Sequence, residues 1–124
     1  MSPELRGVVV GHGGLAEALV SAAEEISGIR GVLVAVSNTG ADRDILDARV
    51  VNAVGDRSAI VFVDMPSGSC LVAAMRKLAV RPDIKVVTGV NLVMLLEFLF
   101  HRAEPVADAA RRAAESGAKS IAQR

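Results

Sequence analysis

Four short runs of apolar residues, most of them β-branched, recur along the chain and predict four β-strands. The runs lie at residues 5–10, 32–36, 59–63 and 84–88. Each run is nearly continuous in Val, Ile, Leu or Ala rather than alternating with polar residues, which is typical of strands that are covered on both faces. The pattern therefore predicts a sheet that lies between two layers.

Residues at helical spacing lie between and after these strands. The first predicted helix would end at Gly28, and one of its faces would carry the apolar residues Leu15, Leu19, Ala22, Ala23 and Ile26. Four further helices are predicted at 42–54, 71–80, 92–100 and 105–117. Ser69 would cap the helix at 71–80. The helix at 92–100 is apolar on almost every side, which predicts that it is buried.

Strands and helices alternate from one end of the chain to the other, which predicts an α/β fold. We expect a single-domain open sheet of four parallel strands with right-handed crossovers and helices on both faces, and we take the strand order to be 2-1-3-4. The length of 124 residues agrees with one domain at 1–124. Residues 118–124 allow two interpretations, because they could extend the last helix or could include a short final strand at 120–122.

The charge and the cysteine content exclude several classes of function. Lys and Arg together number 14, as do Asp and Glu, so the formal net charge is zero and no nucleic-acid surface is expected. A single cysteine cannot form an intramolecular disulfide, which indicates a reducing compartment. The apolar stretch at 89–100 is too short to span a bilayer, and no signal peptide is recognised. We therefore expect a cytoplasmic protein that does not insert into the membrane.

Candidate chemistry lies in the loops that follow the strands, because ligands of open α/β sheets bind beyond the carboxyl ends of the strands. His12 follows the first strand in a glycine-rich turn that opens a helix, and Asp64 ends the third strand. In the order 2-1-3-4 these strands are neighbours, so Asp64 could hold one nitrogen of the His12 ring and leave the other free. The N-terminus of the helix after His12 would also attract an anion.

Each candidate also has a purely structural interpretation. Asp64 could be a turn residue that caps its own loop, and Ser69 could act only as a helix cap. We expect Cys70 to be a buried, unreactive thiol and His101 to interact with the dipole at the end of its helix. Two histidines and one cysteine show no metal-ligand spacing, so no metal site is predicted.

Residues 11–16 match the Gly-x-Gly-x-x-(Gly/Ala) pattern of dinucleotide-binding proteins. That fingerprint also needs an acidic residue at the end of the second strand, where this chain has Ser37 and Asn38. A response-regulator receiver domain would need an acidic pair after the first strand, where residues 11–13 have none. A nucleotide-binding module is therefore kept only as a third alternative.

Three motifs give the chain a resemblance to the enzyme IIA domain of the mannose family of the bacterial phosphoenolpyruvate-dependent sugar phosphotransferase system. Residues 8–13 (Val-Val-Val-Gly-His-Gly) match the strand and turn that open this family. Residues 63–70 (Val-Asp-Met-Pro-Ser-Gly-Ser-Cys) match its aspartate and the loop after the third strand. Residues 89–95 (Gly-Val-Asn-Leu-Val-Met-Leu) match its Gly-Val-Asn motif before an apolar helix. The resemblance covers essentially the whole chain.

The resemblance implies a phosphocarrier that works without a cofactor. His12 would accept a phosphoryl group from the phosphohistidine of the small carrier protein HPr and pass it to a separate enzyme IIB component of a sugar permease. Asp64 would hydrogen-bond the ring nitrogen that is not phosphorylated. The phosphoryl group would lie at two helix N-termini, near Gly13, Gly14, Gly68 and Ser69.

The resemblance also implies a homodimer in which a C-terminal strand is exchanged, a role that residues 120–122 could take. The chain departs from the family pattern at Ser67, at Cys70 and at the pair Met65-Pro66. These departures concern the identity of the partner more than the phosphorylation chemistry. The alternative to sugar transport is a regulatory protein of the same fold that is phosphorylated on His12 and signals to a partner.

Overall fold

The structure, a computed structural model, describes residues 4–78 and 80–124. Along these residues the elements follow one another in the order β1 (Arg6–Gly11), α1 (Leu15–Ser27), β2 (Leu33–Ser37), α2 (Arg43–Val54), β3 (Ala59–Val63), α3 (Ser69–Leu78), β4 (Ile84–Thr88), α4 (Leu92–Leu99) and α5 (Val106–Lys119). The strands lie within about one residue of their predicted positions. The helix predicted at 71–80 begins earlier, at Ser69, and position 79 of that prediction lies outside the described residues.

The strands form one parallel sheet in the order β2-β1-β3-β4, which confirms the predicted topology. β1 and β3 lie in the centre, and Val10 pairs with both Val36 and Val63. The carboxyl ends of these three strands are therefore level. As a result, the loops that follow them meet at one edge of the sheet.

Helices cover both faces of the sheet and divide the core in two. On one face, α1, α4 and α5 pack on strand residues that include Val9 and Phe62. On the other face, α2 and α3 pack on strand residues that include Val10 and Val63. Successive residues of a strand point to opposite faces, so a strand covered on both sides needs an apolar side chain at every position. This explains the continuous apolar sequence of β3, which is buried along its whole length.

The face of α1 that packs on the sheet differs from the predicted one. The buried residues are Ala16, Val20 and Ala23. By contrast, Leu15 is 45% exposed and Ile26 is 62% exposed, so the apolar face predicted from the spacing coincides only in part with the buried one. The cause is the close approach of α1 to β1, since a Cβ at Gly11 would lie 3.4 Å from the backbone nitrogen of Ala16. The small side chain of Ala16 therefore fits against the end of β1, and the larger side chain of Leu15 is rotated away from it.

α4 is buried on one side only, although its sequence is apolar almost throughout. Its buried residues are Met94, Leu95, Phe98 and Leu99. Val93 is 39% exposed and Phe100, just after the helix, is 62% exposed, so the prediction of a wholly buried helix was wrong. α4 packs against α1 and α5 on one face of the sheet, which leaves its opposite side to solvent. In the part of the chain that the structure describes, no helix has the length and apolar character that crossing a membrane requires.

α5 continues past the predicted end at Gly117 and reaches Lys119. Gly117 lies against the side chains of Asn91 and Met94, where an added Cβ would clash with Met94. The glycine therefore serves the packing of α5 on α4 rather than the end of the helix. Residues 121–124, all of which are described, form no strand in the single chain. The exchanged strand at 120–122 concerns a second copy of the chain and stays a prediction.

Candidate functional site

Two neighbouring strand ends bring His12 and Asp64 together, as the strand order predicted. His12 is the first residue after β1, and Asp64 is the first residue after β3. The backbone N–H of Asp64 donates to the carbonyl oxygen of Val10 at 3.2 Å, which continues the pairing of β1 with β3 to the end of the strands. The two side chains therefore start from adjacent positions on the most buried part of the sheet.

Asp64 accepts two hydrogen bonds from His12 through one carboxylate oxygen. Its Oδ2 lies 2.7 Å from the ring nitrogen Nδ1 and 2.9 Å from the backbone nitrogen of His12. The side chain of Asp64 is only 6% exposed, whereas the side chain of His12 is 41% exposed. Asp64 is thus a direct partner of the His12 ring, and Nε2 is the ring nitrogen that this pairing leaves free.

The charge of Asp64 decides which ring nitrogen of His12 carries the proton. Burial by itself would raise the pKa of Asp64, but the hydrogen bonds from the ring and backbone of His12 outweigh it and lower that pKa below its ordinary value. An ionised carboxylate can only accept hydrogen bonds. The neutral ring therefore donates from Nδ1 and carries its lone pair on Nε2. In this tautomer Nε2 is a nucleophile.

Gly68 and the start of α3 lie beside Nε2. A Cβ at Gly68 would be 3.9 Å from Nε2 of His12, and the φ angle of Gly68 is +96°, a conformation that favours glycine. The carbonyl oxygen of Gly68 accepts a hydrogen bond from the backbone N–H of Val72 at 3.1 Å. Ser69 is therefore the first helical residue rather than the N-cap that the sequence predicted. The N–H groups of this first turn favour an anion next to Nε2.

Gly13 and Gly14 directly precede α1, and Gly14 is the N-cap of that helix. A Cβ at either residue would meet nothing within 4 Å, so the backbone here is open to a ligand. However, the N–H of Gly13 already donates to Oδ1 of Asn38 at 3.1 Å, and its carbonyl oxygen accepts from the hydroxyl of Ser37 at 2.7 Å. Gly13 therefore holds the loop in place through both of its backbone groups, and its position near a bound phosphoryl group stays a prediction.

The loop after β2 supports the His12 loop, a role that sequence reasoning missed. Besides the side chains of Ser37 and Asn38, the backbone N–H of Asn38 donates to the carbonyl oxygen of Gly11 at 3.3 Å. Arg49 from α2 in turn donates to the carbonyl oxygens of Ser37 and Thr39 at 2.8 and 2.9 Å. The sequence contained one signal for this role, because residues that follow parallel strands all lie at the same edge of the sheet.

Cys70, in the first turn of α3, contacts the same histidine. Its Sγ lies 3.7 Å from Nδ1 of His12, and the residue is fully buried. Burial and the nearby charge of Asp64 raise the pKa of the Cys70 thiol, although a hydrogen bond with Ser69 opposes the rise. The thiol is therefore buried and protonated, as expected, but its position against His12 was not predicted.

The remaining polar residues singled out by the sequence have structural roles. Nδ1 of His101 lies 2.9 Å from the carbonyl oxygen of Glu97, at the C-terminal end of α4, where the predicted interaction with the helix dipole is geometrically satisfied. Asn91 caps α4, because its Oδ1 accepts from the backbone N–H of Met94 at 3.1 Å, and its side-chain amide donates to the carbonyl oxygen of Gly117 at 3.2 Å. The Gly-Val-Asn motif thus joins α4 to α5.

Comparison with known proteins agrees with this arrangement. A family model described as PTS system fructose IIA component, EIIA-man, matches residues 7–115. No curated protein sequence matches the chain. The family match rests on the sequence and spans every strand of the sheet.

Solved structures share the whole fold. The phosphotransferase system component EIIA from Streptococcus agalactiae has a TM-score of 0.88 at 24% identity, with 96% of each chain covered. The mannose/sorbose specific IIA subunit from Enterococcus faecalis has a TM-score of 0.85 at 20% identity, with 98% of this chain and 96% of that chain covered. A sigma-54 interaction domain protein from Enterococcus faecalis has a TM-score of 0.76 at 15% identity, with 97% and 95% covered. At these identities the likeness establishes the fold.

The family match and the shared fold confirm the resemblance that the motifs around His12, Asp64 and Asn91 indicated. The strand order, the loop positions and the length of the matched segment all agree. The chain belongs to the mannose-type enzyme IIA family of the bacterial sugar phosphotransferase system.

Proposed function

We propose that this phosphotransferase component carries a phosphoryl group on Nε2 of His12, accepts it from phosphorylated HPr and passes it to an enzyme IIB component for sugar uptake. The observation that carries the proposal is the hydrogen bond of 2.7 Å between Nδ1 of His12 and Asp64. It leaves Nε2 as the ring nitrogen with the lone pair, on a side chain that is 41% exposed. Such a nitrogen can both receive and release a phosphoryl group at the protein surface.

The chemistry of the transfer follows from this pair. The lone pair of Nε2 attacks the phosphorus of the donor, a new N–P bond forms, and the N–P bond of the donor histidine breaks. The ring of phosphorylated His12 keeps its proton on Nδ1, where the ionised Asp64 balances the charge that the ring gains. Because Asp64 lies at Nδ1 and not at Nε2, its negative charge stays away from the phosphoryl oxygens.

The backbone around Nε2 supplies the remaining stabilisation. Phosphoryl transfer depends mainly on positioning and on stabilising charge. The first turn of α3 directs N–H groups toward the equatorial oxygens, and the hydroxyl of Ser69 is available beside them. Gly68 and Gly14 have no side chains to obstruct a partner that approaches the ring.

Incubation with phosphoenolpyruvate, enzyme I and HPr, followed by intact-mass spectrometry, tests this function. We expect the chain to gain a single phosphoryl group that is labile to acid, as expected for an N–P bond. His12→Ala should abolish the gain. His101→Ala is the matched control, because it removes the other histidine and should leave the gain unchanged. A chain that gains no phosphoryl group, or one that still gains it in His12→Ala, would contradict the proposal.

The acceptor distinguishes transport from regulation. A regulatory protein of this fold would be phosphorylated on His12 in the same way but would not pass the group to a permease component. Addition of an enzyme IIB component to the phosphorylated chain should move the phosphoryl group to that component. Retention of the group on His12 would favour the regulatory alternative.

We further propose that the chain acts in the cytoplasm as a homodimer in which residues 120–122 form an exchanged strand. Two features support the dimer: β2 and β4 each leave one edge unpaired in the described sheet, and Ile121 is 78% exposed beyond the end of α5. An unpaired edge is a template for a strand from another chain.

Deletion of residues 121–124 tests the exchange while leaving α5 whole. We expect sedimentation velocity to show a dimer for the full chain and a monomer for the shortened one, because the strand that pairs across the interface is gone. Circular dichroism should show the same helix content in both. A shortened chain that remains dimeric would exclude the exchanged strand.

A further inference from the structure

We propose that His12, Asp64 and Cys70 form a binding site for a thiophilic divalent cation such as Zn²⁺, and that the bound cation prevents phosphorylation of His12. The second half of this inference rests on the proposed function. The first half, the cation site itself, depends only on the donor atoms that the fold brings together. The spacing of these residues in the sequence did not indicate a metal site.

The three side chains offer a donor set that suits zinc. Nδ1 of His12, a carboxylate oxygen of Asp64 and Sγ of Cys70 lie within 4.8 Å of one another. Imidazole nitrogen, carboxylate oxygen and thiolate sulfur are the ligands that Zn²⁺ takes in proteins. A water molecule would supply the fourth ligand of a tetrahedral site.

The observed distances are close to those of a tetrahedral site. Zn–N bonds of about 2.0 Å and Zn–S bonds of about 2.3 Å at a tetrahedral angle place nitrogen and sulfur ~3.5 Å apart and nitrogen and oxygen ~3.3 Å apart. In the structure Sγ lies 3.7 Å from Nδ1, and Oδ2 lies 2.7 Å from Nδ1. The sulfur is therefore almost at the required distance from the nitrogen, and the carboxylate needs to withdraw from the nitrogen by roughly half an ångström. The sulfur and the carboxylate oxygen, which lie within 4.8 Å of one another, would settle at ~3.5 Å.

A second observation at the same carboxylate points to a cation. Oδ1 of Asp64 is buried, and among the residues that the structure describes it has no hydrogen-bond partner. The side chain of Asp64 is 6% exposed, so water cannot readily compensate. A buried, unpaired oxygen on an ionised group is costly. A cation bound to this carboxylate would balance its charge and lower that cost.

Metal binding and phosphorylation require opposite tautomers of His12. A metal on Nδ1 takes the lone pair of that nitrogen, so the proton that Nδ1 donated to Asp64 moves to Nε2. Nε2 then has no lone pair with which to attack phosphorus. The thiol of Cys70 releases its proton to solvent when the Zn–S bond forms. The cation would therefore hold the carrier in a form that cannot accept a phosphoryl group.

Titration of the full chain with Co²⁺, a spectroscopic substitute for Zn²⁺, tests the site directly. We expect a thiolate-to-cobalt charge-transfer band that saturates at one equivalent and disappears when Zn²⁺ is added. Zn²⁺ affinity, measured by competition with a chromophoric chelator, should fall at least about 100-fold in Cys70→Ser, because even the loss of a residue that supports a ligand costs up to that much. His101→Ala is the matched control and should bind as the unaltered chain does.

A measurement without any substitution guards against variants that fail to fold. The ¹⁵N chemical shift of Nε2 in His12 should change on addition of Zn²⁺ from that of a nitrogen with a lone pair to that of a protonated nitrogen. An unchanged shift, the lack of a charge-transfer band, or an equal band in Cys70→Ser would overturn the metal site.

The rate of phosphorylation by phosphorylated HPr tests the consequence. Zn²⁺ should lower the rate in the full chain in proportion to site occupancy. In Cys70→Ser, the same Zn²⁺ concentration should leave the phosphorylation rate equal to the rate of that variant without metal. This comparison also controls for Zn²⁺ that binds to HPr. Saturation of the site without a change in rate would overturn the inhibition. If the chain without metal is not phosphorylated at all, the proposed function fails, and the Co²⁺ spectrum still decides the site.

Discussion

Asp64→Asn should lower the rate at which phosphorylated HPr transfers its group to His12 by about tenfold or more, while His12 remains phosphorylatable. The amide can donate to Nδ1, which would move the ring proton to Nε2, and it cannot balance the charge of the phosphorylated ring. In serine-protease triads the same substitution costs about 10⁴-fold through the wrong tautomer. We expect a smaller loss here, because the exposed ring of His12 also depends on groups of the partner and on the helix N-termini.

Quench-flow kinetics with phosphorylated HPr would measure this effect. Asp83→Asn is a suitable control, because Asp83 pairs with Arg81 at 3.0 Å next to the start of β4, at the opposite end of the sheet. Its rate should equal that of the unaltered chain. Thermal melts would show whether either variant is folded. If Asp64→Asn transfers as fast as the unaltered chain, Asp64 is only a turn residue and the proposed His–Asp mechanism has to be abandoned.

Phe98→Ala should lower the free energy of unfolding by about 3–5 kcal/mol, a large share of the ~5–15 kcal/mol typical of a small domain. Phe98 is 1% exposed, and its ring packs edge-on against Phe62, with 5.5 Å between the ring centroids and an angle of 71°. The ring also fills the space beside Gly7, where a Cβ would come within 2.7 Å of it. Truncation would leave a cavity between α4 and the centre of the sheet, which that layer cannot easily close.

Urea unfolding of the two variants Phe98→Ala and Phe100→Ala would check this prediction. Phe100 lies two positions further along but is 62% exposed, so its truncation should change the free energy of unfolding by no more than about 0.5 kcal/mol. The comparison holds the residue type constant and varies only burial. Equal losses in the two variants would show that the ring of Phe98 does not anchor this core.

The strands were predictable because they depend on strong, local signals, and the expected strand order was confirmed by the structure. β3 and β4 occupy the residues that the apolar runs indicated, and a parallel sheet with short right-handed crossovers permits few strand orders. His12 and Asp64 follow the two central strands, so their contact came with that topology. Residues that follow strands in this way can be placed together without any knowledge of side-chain packing.

The helix faces and the supporting contacts were not predictable by the same means. Leu15 and Ile26 are apolar and correctly spaced, yet Ala16 and Val20 are buried instead, and the helix begins so close to Gly11 that only a small side chain fits at Ala16. The spacing of apolar residues along the sequence does not show how closely a helix approaches a strand. In the same way, Gly117 looks like the end of a helix until the side chain of Met94 is placed against it.

The amino-acid sequence alone determined the α/β fold, the sheet order and the meeting of His12 with Asp64, because hydrophobic periodicity and chain connectivity are properties of the sequence. Only the tertiary structure decided that Cys70 contacts His12 and that the N–H of Gly13 is taken by Asn38. These contacts join residues on different elements, and each depends on differences of an ångström or less in how closely the elements approach. Such differences are set by the packing of the whole core, to which every layer of the fold contributes.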